Sequence, residues 1–368
     1  MRYRVTMTGD VRVDALGATV GLAASALGDD LDTVARLWND SVSTAHADVM
    51  LSVGLTTQGG FDVSAPDLHS LAAALSTRVT LAAIELRKSE LVMLHACGVA
   101  ADDGRVVAFV GPSGRGKTTL AKNVAQHFGY VTDETVGIGE DGTVYPYRKP
   151  LSIIDDPSNP GRKSQVAPES LGLLPLPDAP LSIGAVVLLD RVAEHVQEPQ
   201  VSAVPMREAL VSMVPELSYL PELPRPLQRL AALIDAIGGI CALRYSEADT
   251  VATVVPTLLE RPAAIEGWSV VPPSTHAEAP SAGEYLRVLP LDQLQIGAEY
   301  VVLHGRHVHV LDGIGPAVWD ALATPSSAAQ VVDAVVARHG RPEGEDPQVL
   351  VQAALDALLV AGLVHVGE

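Results

Sequence analysis

The sequence predicts an α/β domain built around a glycine-rich phosphate loop, with a small α+β segment before it and a strand-then-helix module after it. Three observations lead there. Gly111-Pro112-Ser113-Gly114-Arg115-Gly116-Lys117-Thr118 fills every position of the phosphate-loop pattern, between an apolar run at 106–110 and a helical stretch at 120–127. Further apolar runs at 183–189 and 240–245 read as strands, with helical material between them. Residues 261–284 are rich in Pro, Ala, Ser and Gly and read as a linker, which leaves the last 84 residues as a module of their own.

Composition narrows the partners. The 368 residues are 48% hydrophobic with few aromatics, and no apolar run reaches the ~18–20 residues of a membrane span. The first residues show no secretory pattern, and Cys97 and Cys241 form no metal-type pair, so reduced thiols in a cytoplasm are expected. A net charge of −19 argues against nucleic acid and anionic membranes. The exception is local: four of the five lysines (Lys117, Lys122, Lys149, Lys163) fall within a short stretch, joined by Arg115, Arg148 and Arg162. A cationic strip in an acidic chain suits a site that handles phosphate.

In chain order, residues 1–90 form the α+β segment, with strands at 3–7 and 49–55 and a helix at 30–38. Leu68, Leu71, Leu75, Val79, Ala82 and Leu86 recur at helical spacing, which predicts a long amphipathic helix over 68–87. No chemistry is visible in this segment. Residues 91–260 are the phosphate-loop domain. Strands at 91–100 and 105–110 flank Asp102-Asp103-Gly104, a hairpin signal. A two-residue turn there puts His95 opposite Pro112 at the loop's mouth, and a bulge shifts this by one residue. The strand at 129–134 ends in Asp133-Glu134, followed by a hairpin over 135–147. A basic, proline-broken stretch at 148–168 is expected to form a loop over the site. Helical material spans 206–237. In the tail, strands are expected at 285–289, 300–304 and 307–311, helices at 315–322, 327–339 and 347–359, and a short strand at 364–366.

The glycines let backbone N–H groups wrap phosphates, with Ser113, Arg115 and Thr119 completing the contact set. Lys117 reaches the β- and γ-phosphates and the Thr118 hydroxyl holds a metal, which predicts ATP with Mg²⁺. A hydroxyl kinase also needs one acid near the acceptor and one near the metal. Asp133-Glu134 and Asp190, at the end of the 183–189 run, compete for these tasks on pattern alone. In the tail, four Arg against ten Asp/Glu give −6, which disfavours a DNA reader. His304, His307 and His309 share a face if Gly305-Arg306 turns tightly, but no fourth metal ligand is visible.

The run from Leu94-His95-Ala96 through the loop to Thr132-Asp133-Glu134-Thr135 resembles the core of the HPr kinase/phosphorylase family over roughly residues 90–190. The resemblance implies Asp133 as catalytic acid/base, Glu134 as the metal-side acid beside Thr118, and His95 in support. This chain departs in having Asp-Glu rather than Asp-Asp, and Thr rather than Ser closing the loop. Residues 285–368 resemble PqqD-like domains through Val310-Leu311-Asp312-Gly313 to Trp319 and the ending Ala354-Leu355 to Val364. That resemblance implies a small winged helix that binds a leader peptide at a sheet edge, here residues 307–311, beside a groove walled by 349–359.

Together these imply an ATP- and Mg²⁺-dependent kinase acting on a Ser or Thr hydroxyl of a ribosomally made precursor peptide. Three other readings stay open: a carrier-protein kinase, a small-molecule kinase with a dimerising tail, and a nucleotide-gated chaperone that delivers a leader peptide to another enzyme.

Overall fold

The strand that feeds the phosphate loop, Arg105–Val110, lies inside an eight-stranded sheet. Its apolar residues Val106–Val110 are at most 1% exposed, as expected of a near-continuous apolar run covered on both faces. Ser182–Arg191 pairs parallel on one side, followed by parallel Ile240–Tyr245 and antiparallel Gln200–Val204. On the other side lies antiparallel Val92–Ala100, which in turn pairs with Gly129–Thr132 and Thr135–Ile138. The helix Lys117–Val124 buries Leu120, Ala121 and Val124 in one core with Phe109, Val187 and Leu243. That packing fixes the direction in which the loop leaves the sheet.

In this computed structural model, residues 9–156, 158–159, 161–260, 266–272 and 279–367 are described. The strand expected at 3–7 therefore lies outside the described residues. Asp10–Ala15, Ala18–Ala23, Val49–Leu55 and Val63–Ala65 make a four-stranded sheet. The helix Leu68–Arg87 starts where Asp67 accepts from the Ser70 N–H at 2.8 Å. It lays Leu71, Leu75, Val79 and Ala83 into a core shared with Val20, Leu22 and Val53. Met93 and Tyr147 belong to that core too, so segment 1–90 and the phosphate-loop segment form one compact unit.

The strands around Asp102-Asp103-Gly104 pair Ala96 with Val110, which puts His95 opposite Gly111, the one-residue shift from Pro112 that the sequence left open. The cause is a three-residue loop, closed by Ala101 N–H to Arg105 O at 2.9 Å, with Gly104 at φ 87°. The proline-broken stretch is not all loop: Leu151–Ile154 and Lys163–Val166 pair as a two-stranded antiparallel hairpin.

The second unit is assembled from Pro205–Pro215, Pro224–Asp235 and Ile265–Glu368. Its sheet orders Trp268–Val270, Asp292–Ile296, Glu299–His304 and His307–Leu311, all antiparallel. Asp292–Ile296 lies outside every strand expected from the sequence, and Trp268–Val270 falls within the expected linker. The first expected tail strand, Glu284–Arg287, instead joins Val364–Val366 and Ser326–Ser327 in a separate small sheet. Helices Gly315–Ala321, Ala328–His339 and Pro347–Val360 pack on one face, where Trp319, Val331, Leu355 and Val302 share a core. The expected helical span 206–237 is two helices, Met206–Met213 and Pro226–Ala236, with prolines at 215, 221 and 224 breaking it. Among the described residues no helix is long and apolar enough to cross a membrane.

Candidate functional site

The loop turns from strand to helix through Gly114 (φ 80°) and Gly116 (φ 90°), both in the left-handed region that a side chain would strain. No atom lies within 4 Å of where a Gly114 Cβ would stand, so the backbone there is open to a ligand. Lys117 is buried, and its Nζ donates to the carbonyls of Gly111 and, at 3.1 Å, Pro112. Burial pushes its pKa below the usual lysine value, against the pull of Glu216, Glu134 and Asp133.

Thr118 Oγ1 donates to Asp133 Oδ2 at 2.9 Å. The buried Asp133 carboxylate also accepts from the Tyr130 hydroxyl at 3.2 Å and stands 3.4 Å from Lys149 Nζ. Lys149 Nζ reaches Glu134 Oε2 at 3.0 Å, so one buried ammonium bridges the acidic pair. Burial by itself would lower the Lys149 pKa; Asp133 and Glu134 outweigh it and hold the group above its ordinary value. His95 Nδ1 is 3.1 Å from the Glu134 main-chain oxygen, and burial, then Lys117, lower its pKa.

His95, Lys117, Thr118, Asp133, Glu134 and Lys149 line a cleft of about 530 Å³ together with Ser113, Thr119 and Lys122. Hydroxyl and carboxylate oxygens beside a lysine and a glycine loop fit Mg²⁺, which takes few protein ligands and completes its shell with substrate phosphates and water. Thr118 and Asp133 are the pair already in contact; Glu134, more exposed, is turned to Lys149.

Not every expected residue comes to the cleft. Arg115 is exposed and outside its lining, while Gly111 serves through the carbonyl that receives Lys117. Arg148 is drawn to Asp40 at 3.5 Å and donates to the Leu174 carbonyl at 3.2 Å. Arg162 lies 3.6 Å from Asp155. Asp190 pairs with Arg244 at 3.2 Å, half exposed and away from the lining. Of the basic stretch, Lys149 and Lys163 line the cleft. Arg191, at the end of the strand beside Arg105–Val110, is also outside the lining but stands close to the loop, its Nη1 3.1 Å from where a Gly116 Cβ would be and its Nε donating to the Ser246 carbonyl at 3.2 Å.

In the second unit, His307–Leu311 is the outermost strand of its sheet. His304 pairs with His307 across the Gly305-Arg306 turn, and His309 follows on the same face. Among the described residues no group of three His, Cys, Asp or Glu is arranged to hold a metal. The helix Pro347–Val360 leaves Val349 66% exposed.

The family described as coenzyme PQQ synthesis protein D (PqqD) matches residues 299–364, so the C-terminal unit carries a PqqD domain. Among solved structures, the chain is similar to the Hpr(Ser) kinase/phosphatase from Coxiella burnetii. The match has 12% identity and a TM-score of 0.26, and covers 46% of this chain and 93% of that one. None of the curated proteins matches the chain.

Proposed function

We propose that this chain is an ATP- and Mg²⁺-dependent kinase that phosphorylates a Ser or Thr hydroxyl of a ribosomally made precursor peptide. The observation that carries the reading is the convergence of Lys117, Thr118, Asp133, Glu134 and Lys149 on one cleft at a phosphate loop. The substrate class follows from the PqqD domain on the same chain. A leader held against the edge strand His307–Leu311 and the helix Pro347–Val360 raises the local concentration of the segment to be modified.

In the transfer, the acceptor oxygen bonds to the γ-phosphorus, the bond from that phosphorus to the bridging oxygen breaks, and the hydroxyl proton passes to a carboxylate. Loop amides and Lys117 stabilise charge on the transferring group. Mg²⁺, when bound beside Thr118, neutralises charge on the phosphates. The resemblance implies Asp133 for the acceptor and Glu134 for the metal, whereas the Thr118–Asp133 hydrogen bond favours Asp133 as the metal-side acid. Substitution decides between them. The acid whose amide raises the Mg²⁺ concentration for half-maximal rate is metal-side. The acid whose amide lowers kcat at unchanged Mg²⁺ demand serves the acceptor.

The proposal is tested by mass spectrometry of precursor peptides incubated with the protein, ATP and Mg²⁺. A gain of one phosphate, abolished by Lys117→Ala, is expected. Tight leader binding with no phosphate gain favours a peptide chaperone, and transfer only to a carrier protein or small molecule favours the other kinase readings.

A further inference from the structure

A second cavity of about 480 Å³ adjoins the phosphate cleft. The two share Glu134, Lys149, Ser152 and Lys163 in their walls, so they meet where the acidic pair and its bridging lysine stand. The far walls come from two elements outside the phosphate loop. One is the first half of the helix Leu68–Arg87, through His69, Ala73, Ser76 and Thr77; the other is the hairpin Leu151–Ile154 with Lys163–Val166. The helix reaches the catalytic groups directly, since Lys149 Nζ lies 3.5 Å from Ser76 Oγ.

We infer that this second chamber is the acceptor site, and that it takes a hydroxyl-bearing peptide segment with acidic or small polar flanks. The inference rests on the kinase reading above. A phosphoryl acceptor must approach the γ-phosphate from outside the nucleotide cleft and still meet a carboxylate. Among the described residues of the chamber's wall only Glu134 is acidic, and Lys149 pairs with it at 3.0 Å. Lys149 and Lys163 against Glu134 then leave the described walls of the chamber with a net positive charge within a chain of net charge −19. The rest of the wall is small and polar: Ser70, Ser76, Thr77 and Ser152. Gln165 donates to Ser152 Oγ at 2.8 Å and keeps its Oε1 buried with no hydrogen-bond partner. A buried acceptor of that kind is costly unless a donor arrives, and a peptide N–H or side-chain hydroxyl supplies one. The volume suits a short peptide segment.

The test uses the full chain with labelled ATP and two pools of short synthetic peptides, each with a central serine. One pool has Asp/Glu flanks and the other Lys/Arg flanks. The wild type should label the acidic pool several-fold faster. Ala73→Trp, which fills the chamber from a partly exposed helix position, should cut labelling about tenfold or more while leaving binding of a fluorescent ATP analogue unchanged. Lys163→Glu should reverse the flank preference. Labelling unaffected by Ala73→Trp, or a preference for basic flanks, overturns the inference alone. A wild type that labels a leader-bearing precursor but neither pool also overturns the inference alone; one that binds the ATP analogue but labels neither pool nor any precursor overturns the peptide-kinase reading, and the inference with it.

Discussion

At the scale of single residues, Lys149 is the group whose role the chain order conceals. A lysine before a proline in a basic run reads as surface, yet here it is 3% exposed and bridges Asp133 and Glu134. Removing one partner of a buried ion pair leaves uncompensated charge, so Lys149→Met should lower the unfolding free energy by about 3–5 kcal/mol in a denaturant titration. Adding Asp133→Asn and Glu134→Gln should restore most of it; a triple variant as unstable as the single one would mean that packing, not charge, is lost. Cys97 gives an independent reading of the same core. Burial drives its thiol up to about 12, so only about one molecule in ten thousand carries a Cys97 thiolate at pH 8. The sign is simple: reactivity needs the thiolate, and a raised pKa withholds it until the pH climbs. Cys241 is buried as well, so a thiol reagent at pH 8 should titrate none in the native protein and two after unfolding. The residues named by the phosphate-loop pattern were legible because that pattern is local. The displacement of Arg148 was not, because its partner Asp40, more than a hundred residues away, decides where the cation points.

At the scale of elements, legibility followed periodicity. The helix Leu68–Arg87 and the strands Val49–Leu55 and Arg105–Val110 match their sequence patterns to the residue, since each has a strong period or a continuous apolar run. Asp292–Ile296 was overlooked although Leu294 and Ile296 alternate, because Asp292 and Gln293 are buried polar residues that mask the period. Asp292 is satisfied by the Gln228 N–H at 3.0 Å and its Nε2 at 2.9 Å, contacts that no local reading reveals. The helix Ala328–His339 shows the reverse, a boundary written in sequence: Ser327 and Gln330 form a reciprocal capping box. Ser327→Ala should destabilise the C-terminal unit by about 1 kcal/mol, read from its thermal transition. For peptide capture the informative position is Val349, exposed on the helix Pro347–Val360. Val349→Asp should raise KM for a full-length precursor and leave KM for its leaderless form unchanged. Equal effects on both would remove this helix from leader recognition.

At the scale of the molecule, the division of the chain follows faces that need covering rather than the order of segments. In the sheet of the second unit, Val302 and Leu311 face the three tail helices, while Val301, Leu303 and Leu294 point the other way and are fully buried. The elements on that second face come from earlier in the chain. Met206–Met213 lies against His307–Leu311, Arg207 meets Glu299 at 3.3 Å, and Gln228 bonds Asp292, with Glu299 and Asp292 on the same face as Leu303. Trp268 Nε1 adds a bond to Asp235 at 2.7 Å. A cut at residue 284, the obvious choice from the sequence, therefore strips one partner from a two-sided core. The shortened chain would keep the buried Leu210, Met213, Leu230 and Ile234 on helices that had lost the strands they meet through His307–Leu311 and Asp292, and each buried aliphatic side chain is worth about 1.5–3 kcal/mol. We expect chains ending at residue 284 to bind a hydrophobic dye and to be cleaved by protease between residues 205 and 236. Exchanging the apolar residues of Met206–Met213 and Pro226–Ala236 for polar ones in the shortened chain should suppress the dye signal. A shortened chain that resists protease and binds no dye would show that these helices do not depend on the C-terminal sheet.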